Sequence, residues 1–140
     1  MAVGAENMSN TPVVFNGHRW GTQLGKPTIV DHLNPIMYVG FNSIAADAGE
    51  VALKWDVSRE MQDEWAFNSQ MKYQDAKMAG KFKIGEELTP VPIARKKGED
   101  LLFEEDEFPK PNTTPEKLAT LKTIYESPTV TAGNSPGLDA

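Results

Sequence analysis

Residues 56–91 read DVSREMQDEWAFNSQMKYQDAKMAGKFKIGEELTPV, and the rest of the chain is parsed from this stretch. Met61, Trp65, Ser69, Tyr73, Ala76 and Gly80 recur every three or four residues. That spacing stacks them on one side of a helix. Asp56 or Ser58 is placed to cap its start by accepting a backbone N–H. Arg59, Asp63, Glu64, Lys72 and Lys77 fall on the opposite side and are expected to face water. Gly80 marks the end, because glycine adopts the left-handed conformation without a steric penalty. The spacing predicts a core helix and says nothing of chemistry.

The 140 residues fit one domain. A net charge of −6 argues against a nucleic-acid partner, which requires a basic footprint. No apolar run approaches the roughly 20 residues that span a bilayer. The start does not read as a secretion signal either, so the expectation is a soluble, cytoplasmic protein without membrane contact. There is no cysteine, which excludes disulfides, thiolate metal sites and a cysteine nucleophile within these residues. His18 and His32 have no second ligand at a recognisable spacing, and the acidic run at residues 104–107 lacks calcium-loop spacing, so no metal site is expected.

In chain order, residues 1–10 begin with small residues, as though a strand were entered part-way. Residues 11–34 are rich in glycine and proline, with short apolar pieces at 13–15 and 28–30. They suit an arm of loops with one or two short strands, too poor in apolar surface to form its own core and suited to packing on a partner subunit. Residues 41–55 predict a helix with Ile44, Ala48, Val51, Ala52 and Trp55 inward and Ser43 as N-cap. The alanines and Gly49 would permit close approach of a neighbour. Residues 87–95 alternate as a strand that Pro90 and Pro92 confine to an edge. Residues 96–107 predict a solvated hairpin with a charged tip. Thr114 and Pro115 open a further helix, with Leu118, Leu121, Ile124 and Tyr125 on one face. Residues 129–140 read as a strand leading into a tight turn, and the sequence looks cut there.

Several short motifs resemble those of the thiolases, the acyl-CoA C-acyltransferases, and they come in the family's order. They are GAENMSNTP at residues 4–12; Arg19, Gly21, Gly25 and Asp31 at the R-x-G, G, D spacing; and GEVALKWDVSREMQDEWAFNSQMK at 49–72. AGKF at 79–82, ELTPV at 87–91, DEFPK at 106–110, LATLK at 118–122 and TVTAGN at 129–134 follow. The resemblance covers the middle of a thiolase. It implies an α+β, helix-rich loop domain, the coenzyme A-binding lid, with short strands and long loops. On that alignment residues 1–12 are a remnant of an N-terminal core strand, 13–127 the loop domain, and 128–140 a truncated return into the core.

The family's nucleophilic cysteine precedes this segment, and its Asn-Glu-Ala-Phe motif, Gly-His-Pro histidine and second cysteine follow it. Claisen condensation or thiolysis needs a thiolate to carry the acyl group, a base and an oxyanion hole. The chain alone is therefore expected to be inactive and to hold no catalytic residue. The resemblance implies coenzyme A binding instead, with the thioester as substrate, no separate cofactor and a homo-oligomeric parent enzyme. It places Leu33, Tyr38 and Val39 along the acyl and pantetheine region. Lys110 stands where a family arginine meets the nucleotide, exchanging a bidentate fork for a point charge. Leu121, Ile124 and Tyr125 would face adenine and pantetheine, and Ala132, Pro136 and Gly137 the far wall. The sequence departs from the family pattern in extra residues around 41–47, in Val39–Gly40 for Met-Gly, and in GNSPG for G-N-A-S-G. Pro136 removes a hydroxyl and a backbone donor.

Two other readings stay open. The chain is alternatively a stand-alone binding or assembly module, such as one subunit of a split thiolase held to the remainder by its arm at residues 13–31. A third reading is an acidic helical scaffold without a ligand.

Overall fold

The computed structural model describes residues 2–4, 7–25, 28–31 and 43–137. They divide into two compact units, residues 1–59 with 121–140, and residues 60–120. Helices and short two-stranded sheets make the chain α+β. No helix among the described residues is long and apolar enough to cross a membrane.

In the first unit, residues 2–4 are irregular and a single 3-10 turn follows at Met8–Asn10. The two short apolar pieces do form strands. β1 (Val13–Asn16) and β2 (Thr28–Asp31) pair antiparallel, with Val13 opposite Asp31 and Phe15 opposite Ile29. The exposed ring of His18 packs edge-on against Phe15, centroids 5.2 Å apart. Trp20 and Leu24 stand in the connecting loop almost wholly in solvent.

α1 (Ile44–Lys54) starts where expected, with the Ser43 hydroxyl accepting the Ala46 N–H at 3.0 Å. Its covered face differs from the expected one. Ala46 and Gly49 are buried and Ala45 and Ala52 half-buried, while Ile44, Val51 and Trp55 are exposed. The reason is clearance. A Cβ on Gly49 would lie 2.7 Å from Pro128 Cδ and closer still to Ser127 Oγ, so only a side of small residues fits against that turn. Asp56 closes α1 rather than opening the next helix. It stands at φ 55°, its N–H donates to the Leu53 carbonyl, and the Val57 N–H donates to the Ala52 carbonyl. This is the double bond of a helix C-terminal motif, with aspartate in the place glycine usually takes.

α2 (Arg59–Met78) confirms the helix predicted at residues 59–79. It stops at Gly80, which stands at φ 61° with the Gly80 N–H on the Lys77 carbonyl and the Lys81 N–H on the Ala76 carbonyl, both at 3.0 Å. The expected core face is corrected over the first half. Met61 and Trp65 are exposed, whereas Asp63, expected in water, is buried and partnered. The covered stripe runs through Arg59, Gln62, Asp63, Ala66, Gln70 and Tyr73, and meets the expected stripe only at Tyr73 and Ala76. Apolar residues are scattered around this helix, so polar ties choose the side that periodicity alone could not. Tyr73 stacks on Phe82 at 5.2 Å beyond the glycine stop.

The rest of the second unit is a hairpin and a short helix. β3 (Val91–Ile93) pairs antiparallel with β4 (Leu101–Phe103), Pro92 opposite Leu102, and its connection carries Arg95, Lys96, Lys97, Glu99 and Asp100 in solvent. α3 (Pro115–Ala119) has the expected cap, the Thr114 hydroxyl accepting the Lys117 N–H at 3.3 Å. It is a five-residue helix, and of the predicted apolar face only Leu118 is on it and buried. Thr120 ends the helix; Leu121 lies just beyond it, before the bridging residue Thr123, and Ile124 and Tyr125 enter the turn that the Ser127 N–H closes on the Ile124 carbonyl at 2.9 Å.

The Glu116 carboxyl is held below its ordinary value by the backbone N–H of its own residue and by the Thr114 hydroxyl. A carboxyl lowered on folding contributes stability above its unfolded pKa and loses it as pH falls through the folded one. The stability difference between wild type and Glu116→Gln is therefore expected to be largest at neutral pH and to vanish in acid. Urea unfolding at stepped pH measures it, and a pH-independent difference would refute the assignment.

Candidate functional site

Residues 121–137 of the first unit are held by a dense set of local hydrogen bonds. They include six of the ten residues expected along a ligand wall. Thr123 and Thr131 form an isolated antiparallel bridge, and the Ile124 N–H donates to the Val130 carbonyl at 3.0 Å. A single bridge replaces the strand expected from residue 129, because the chain folds back after three residues. The buried Ser127 hydroxyl accepts the N–H groups of Val130 at 3.0 Å and Thr129 at 3.4 Å. The Asn134 side-chain oxygen accepts the N–H of Thr131, a fully buried residue, at 2.7 Å, and the Thr131 hydroxyl accepts the Gly133 N–H at 3.2 Å. Side-chain oxygens thus satisfy buried amides that would otherwise carry a desolvation cost.

The turn at Tyr125 and Glu126 is strained. Both take left-handed φ values, 47° and 61°, at a cost of about 1–3 kcal/mol each. Three outside ties hold it. The Ser43 hydroxyl donates to the Tyr125 carbonyl at 2.7 Å, and Arg59 Nη2 donates to the Leu121 carbonyl at 3.2 Å. Gly49 brings α1 against Ser127 and Pro128. The result places the Tyr125 side chain largely in solvent, Leu121 exposed and Ile124 half-buried. Ala132 and Pro136 are exposed on the return, and Gly137 is half-buried.

Lys110 belongs to the second unit. Its N–H donates to Gln70 Oε1 at 2.8 Å, its carbonyl accepts the Thr113 hydroxyl at 2.7 Å, and its ammonium donates to the Glu107 carbonyl at 3.2 Å. Leu33, Tyr38 and Val39, with His32, lie outside the described residues. The sequence reading missed Ser43, Arg59, Ser127, Thr129 and Asn134 as shapers of this segment. The Thr129 hydroxyl is buried and finds no partner among the described residues. Ser and Thr before a turn carry a weak signal of such local bonding.

The second unit also has a cleft of about 420 Å³ lined by Leu88, Val91, Phe103 and Phe108, with residues 104–107 along its edge. Four consecutive carboxylates give it a sign that repels anions. Among the described residues no group of three or more His, Asp or Glu is arranged to hold a metal ion.

The long motif at residues 49–72 acquires a physical meaning here, because parts of it tie to segments later in the chain. Arg59 of SRE reaches Leu121 of LATLK, Gln70 of NSQ reaches Lys110 of DEFPK, and Gly49 of GEVA meets the residues just before TVTAGN. A family model described as "Thiolase, N-terminal domain" matches residues 1–139. The chain belongs to the thiolase family. Among curated thiolase relatives, a protein named "Probable acetyl-CoA acyltransferase" from Staphylococcus aureus strain COL is 35% identical over 146 residues, covering 99% of this chain and 36% of its own length. Among solved thiolases, an acetyl-CoA acetyltransferase from Bacillus anthracis superposes with a TM-score of 0.85 at 31% identity, covering 99% of this chain and 35% of that one. The human mitochondrial 3-ketoacyl-CoA thiolase gives a TM-score of 0.75 at 34% identity over 96% of this chain. This thiolase chain therefore spans about a third of the length of the relatives it matches.

Proposed function

We propose that these residues form the coenzyme A-binding loop domain of a thiolase that transfers acyl groups between acyl-CoA and acetyl-CoA. Residues 13–127 would be the loop domain, flanked by core sequence at 1–12 and 128–140. The observation that carries this reading is the pinned turn at residues 121–126 in a chain of this family. It offers an exposed aromatic ring, apolar side chains and backbone groups, a surface suited to adenine and pantetheine. A match to the N-terminal domain is compatible with a segment inserted in that half. Leu33, Tyr38 and Val39 would line the acyl end, Lys110 the nucleotide end, Leu121, Ile124 and Tyr125 one wall, and Ala132, Pro136 and Gly137 the other. The cleft edged by residues 104–107 is electrostatically unsuited to the phosphates of coenzyme A.

The chemistry itself requires a thiolate to take the acyl group, and this sequence has no cysteine. The role of these residues would be to bind and orient the thioester, whose reacting carbon meets catalytic groups carried elsewhere in a homo-oligomeric, cytoplasmic enzyme. Titrating the 140-residue chain with coenzyme A is expected to give saturable heat and a change in tryptophan fluorescence. Flat calorimetry with unchanged fluorescence would overturn the reading.

A second reading, an assembly module or split-thiolase subunit, is favoured by the uncovered apolar residues of the arm. Phe15, Trp20, Leu24 and Ile29 are all exposed, and surfaces of that kind mark interaction sites. A mixture with the remainder of a thiolase chain that stays monomeric by size measurement would reject it.

A further inference from the structure

Two successive non-glycine residues in the left-handed region persist only where the surroundings impose them. At Tyr125 and Glu126 the imposing groups are identifiable. The Ser43 hydroxyl does two things at once: it accepts the Ala46 N–H as the cap of α1 and donates its proton to the Tyr125 carbonyl. Capping alone would be served as well by aspartate, but a carboxylate has no proton to donate to that carbonyl. The Arg59 guanidinium grips the segment leading into that turn, at the Leu121 carbonyl. Both ties join a side chain on a helix terminus to a main-chain oxygen of the turn, so they fix its path without covering the Tyr125 or Leu121 side chains, which stay exposed.

We propose that Ser43 and Arg59 are positioning residues for coenzyme A, holding the strained turn at residues 121–126 in its ligand-bound shape before the ligand arrives. The proposal rests on the reading of Leu121, Ile124 and Tyr125 as a cofactor wall. A preset wall avoids the ordering cost that a relaxed turn would meet on binding. Each acts through a main-chain carbonyl rather than through the ligand: Ser43 through that of Tyr125 itself, Arg59 through that of Leu121 at the entry to the turn.

The test is coenzyme A calorimetry on the 140-residue chain, with urea unfolding run on every variant. Ser43→Thr keeps both bonds and should bind within about twofold of wild type. Ser43→Asp keeps the cap and loses the donation, so its unfolding midpoint should fall only modestly while its Kd weakens by up to about tenfold, the scale of one lost hydrogen bond. Ser43→Gly, a fair cap with no donor, should weaken binding likewise and decides the matter if the aspartate variant does not fold. Arg59→Gln should weaken binding and Arg59→Lys restore part of it. Wild-type affinity in both Ser43→Asp and Ser43→Gly would overturn the proposal. A wild-type chain that binds no coenzyme A would overturn the cofactor-wall reading, and the proposal with it, before any substitution is compared.

Discussion

Truncating Leu118 to alanine is expected to destabilise the unit of residues 60–120 by about 3 kcal/mol. Leu118 is 4% exposed and is the one buried apolar side chain of that unit among the described residues. The hairpin side chains Val91, Ile93, Leu101, Leu102 and Phe103 all lie in large part in solvent and cannot substitute for it. A unit of this size has a few kcal/mol of net stability at roughly 0.05–0.15 kcal/mol per residue, so the loss approaches the whole. Urea unfolding followed by amide hydrogen exchange checks this, since exchange separates α2 and α3 amides from those of the first unit. Leu102→Ala, at a half-exposed position, is the control and should cost well under half as much. Equal losses at the two sites would remove Leu118 from its central place.

Replacing Gly49 with alanine should destabilise the first unit by about 2 kcal/mol, against the direction that helix propensity predicts. Alanine in place of glycine inside a helix gains about 1 kcal/mol. Here the added methyl would meet Ser127 Oγ and the ring carbons of Pro128, at 2.7 and 3.0 Å for the latter. Pro128 is a rigid ring and Ser127 Oγ is held by the N–H groups of Thr129 and Val130, so helix and turn must separate, an overpacking cost of about 1–3 kcal/mol or more. The separation also strains the bond from Ser43 to Tyr125, which joins α1's cap to the same turn. A cycle with Ser127→Gly should show coupling, because removing Ser127 Oγ relieves part of the clash. Additive effects, or a net gain from Gly49→Ala alone, would refute the close approach.

The helices and the two short strands at 13–16 and 28–31, though not their pairing, were legible because they rest on local signals. Ser43, Thr114 with Pro115, and Gly80 all act within one helical turn of their own position. The covered faces were less legible. In α1 small residues are buried and large ones exposed, because clearance from Ser127 and Pro128 decides, and that contact spans most of the chain. In α2 the polar ties of Arg59 and Gln70 select the side, and hydrophobic period does not register them. The apolar series Leu118, Leu121, Ile124 and Tyr125 read as helix because its spacing is helical. Nothing nearby in sequence reveals that Thr123 will bridge to Thr131 and turn the chain. For the site, Leu121, Ile124 and Tyr125 lie at or just before one turn and Ala132, Pro136 and Gly137 on the return after it, while the groups that shape that turn lay hidden among ordinary caps and helix starts.

The bond from Arg59 to the Leu121 carbonyl has a consequence for recombination. The chain leaves the first unit after residue 59 and rejoins it at residue 121, and the two ends lie within one arginine side chain of each other. The intervening residues form a closed excursion whose entry and exit coincide. Joining the ends with a few glycine and serine residues changes the closure entropy by only a few tenths to a few kcal/mol. Ser43, Gly49 and the turn keep their mutual bonds across such a splice. Residues 59 and 121 are thus natural crossover points, where a hairpin and helix from another relative can be exchanged as a cassette without redrawing the turn.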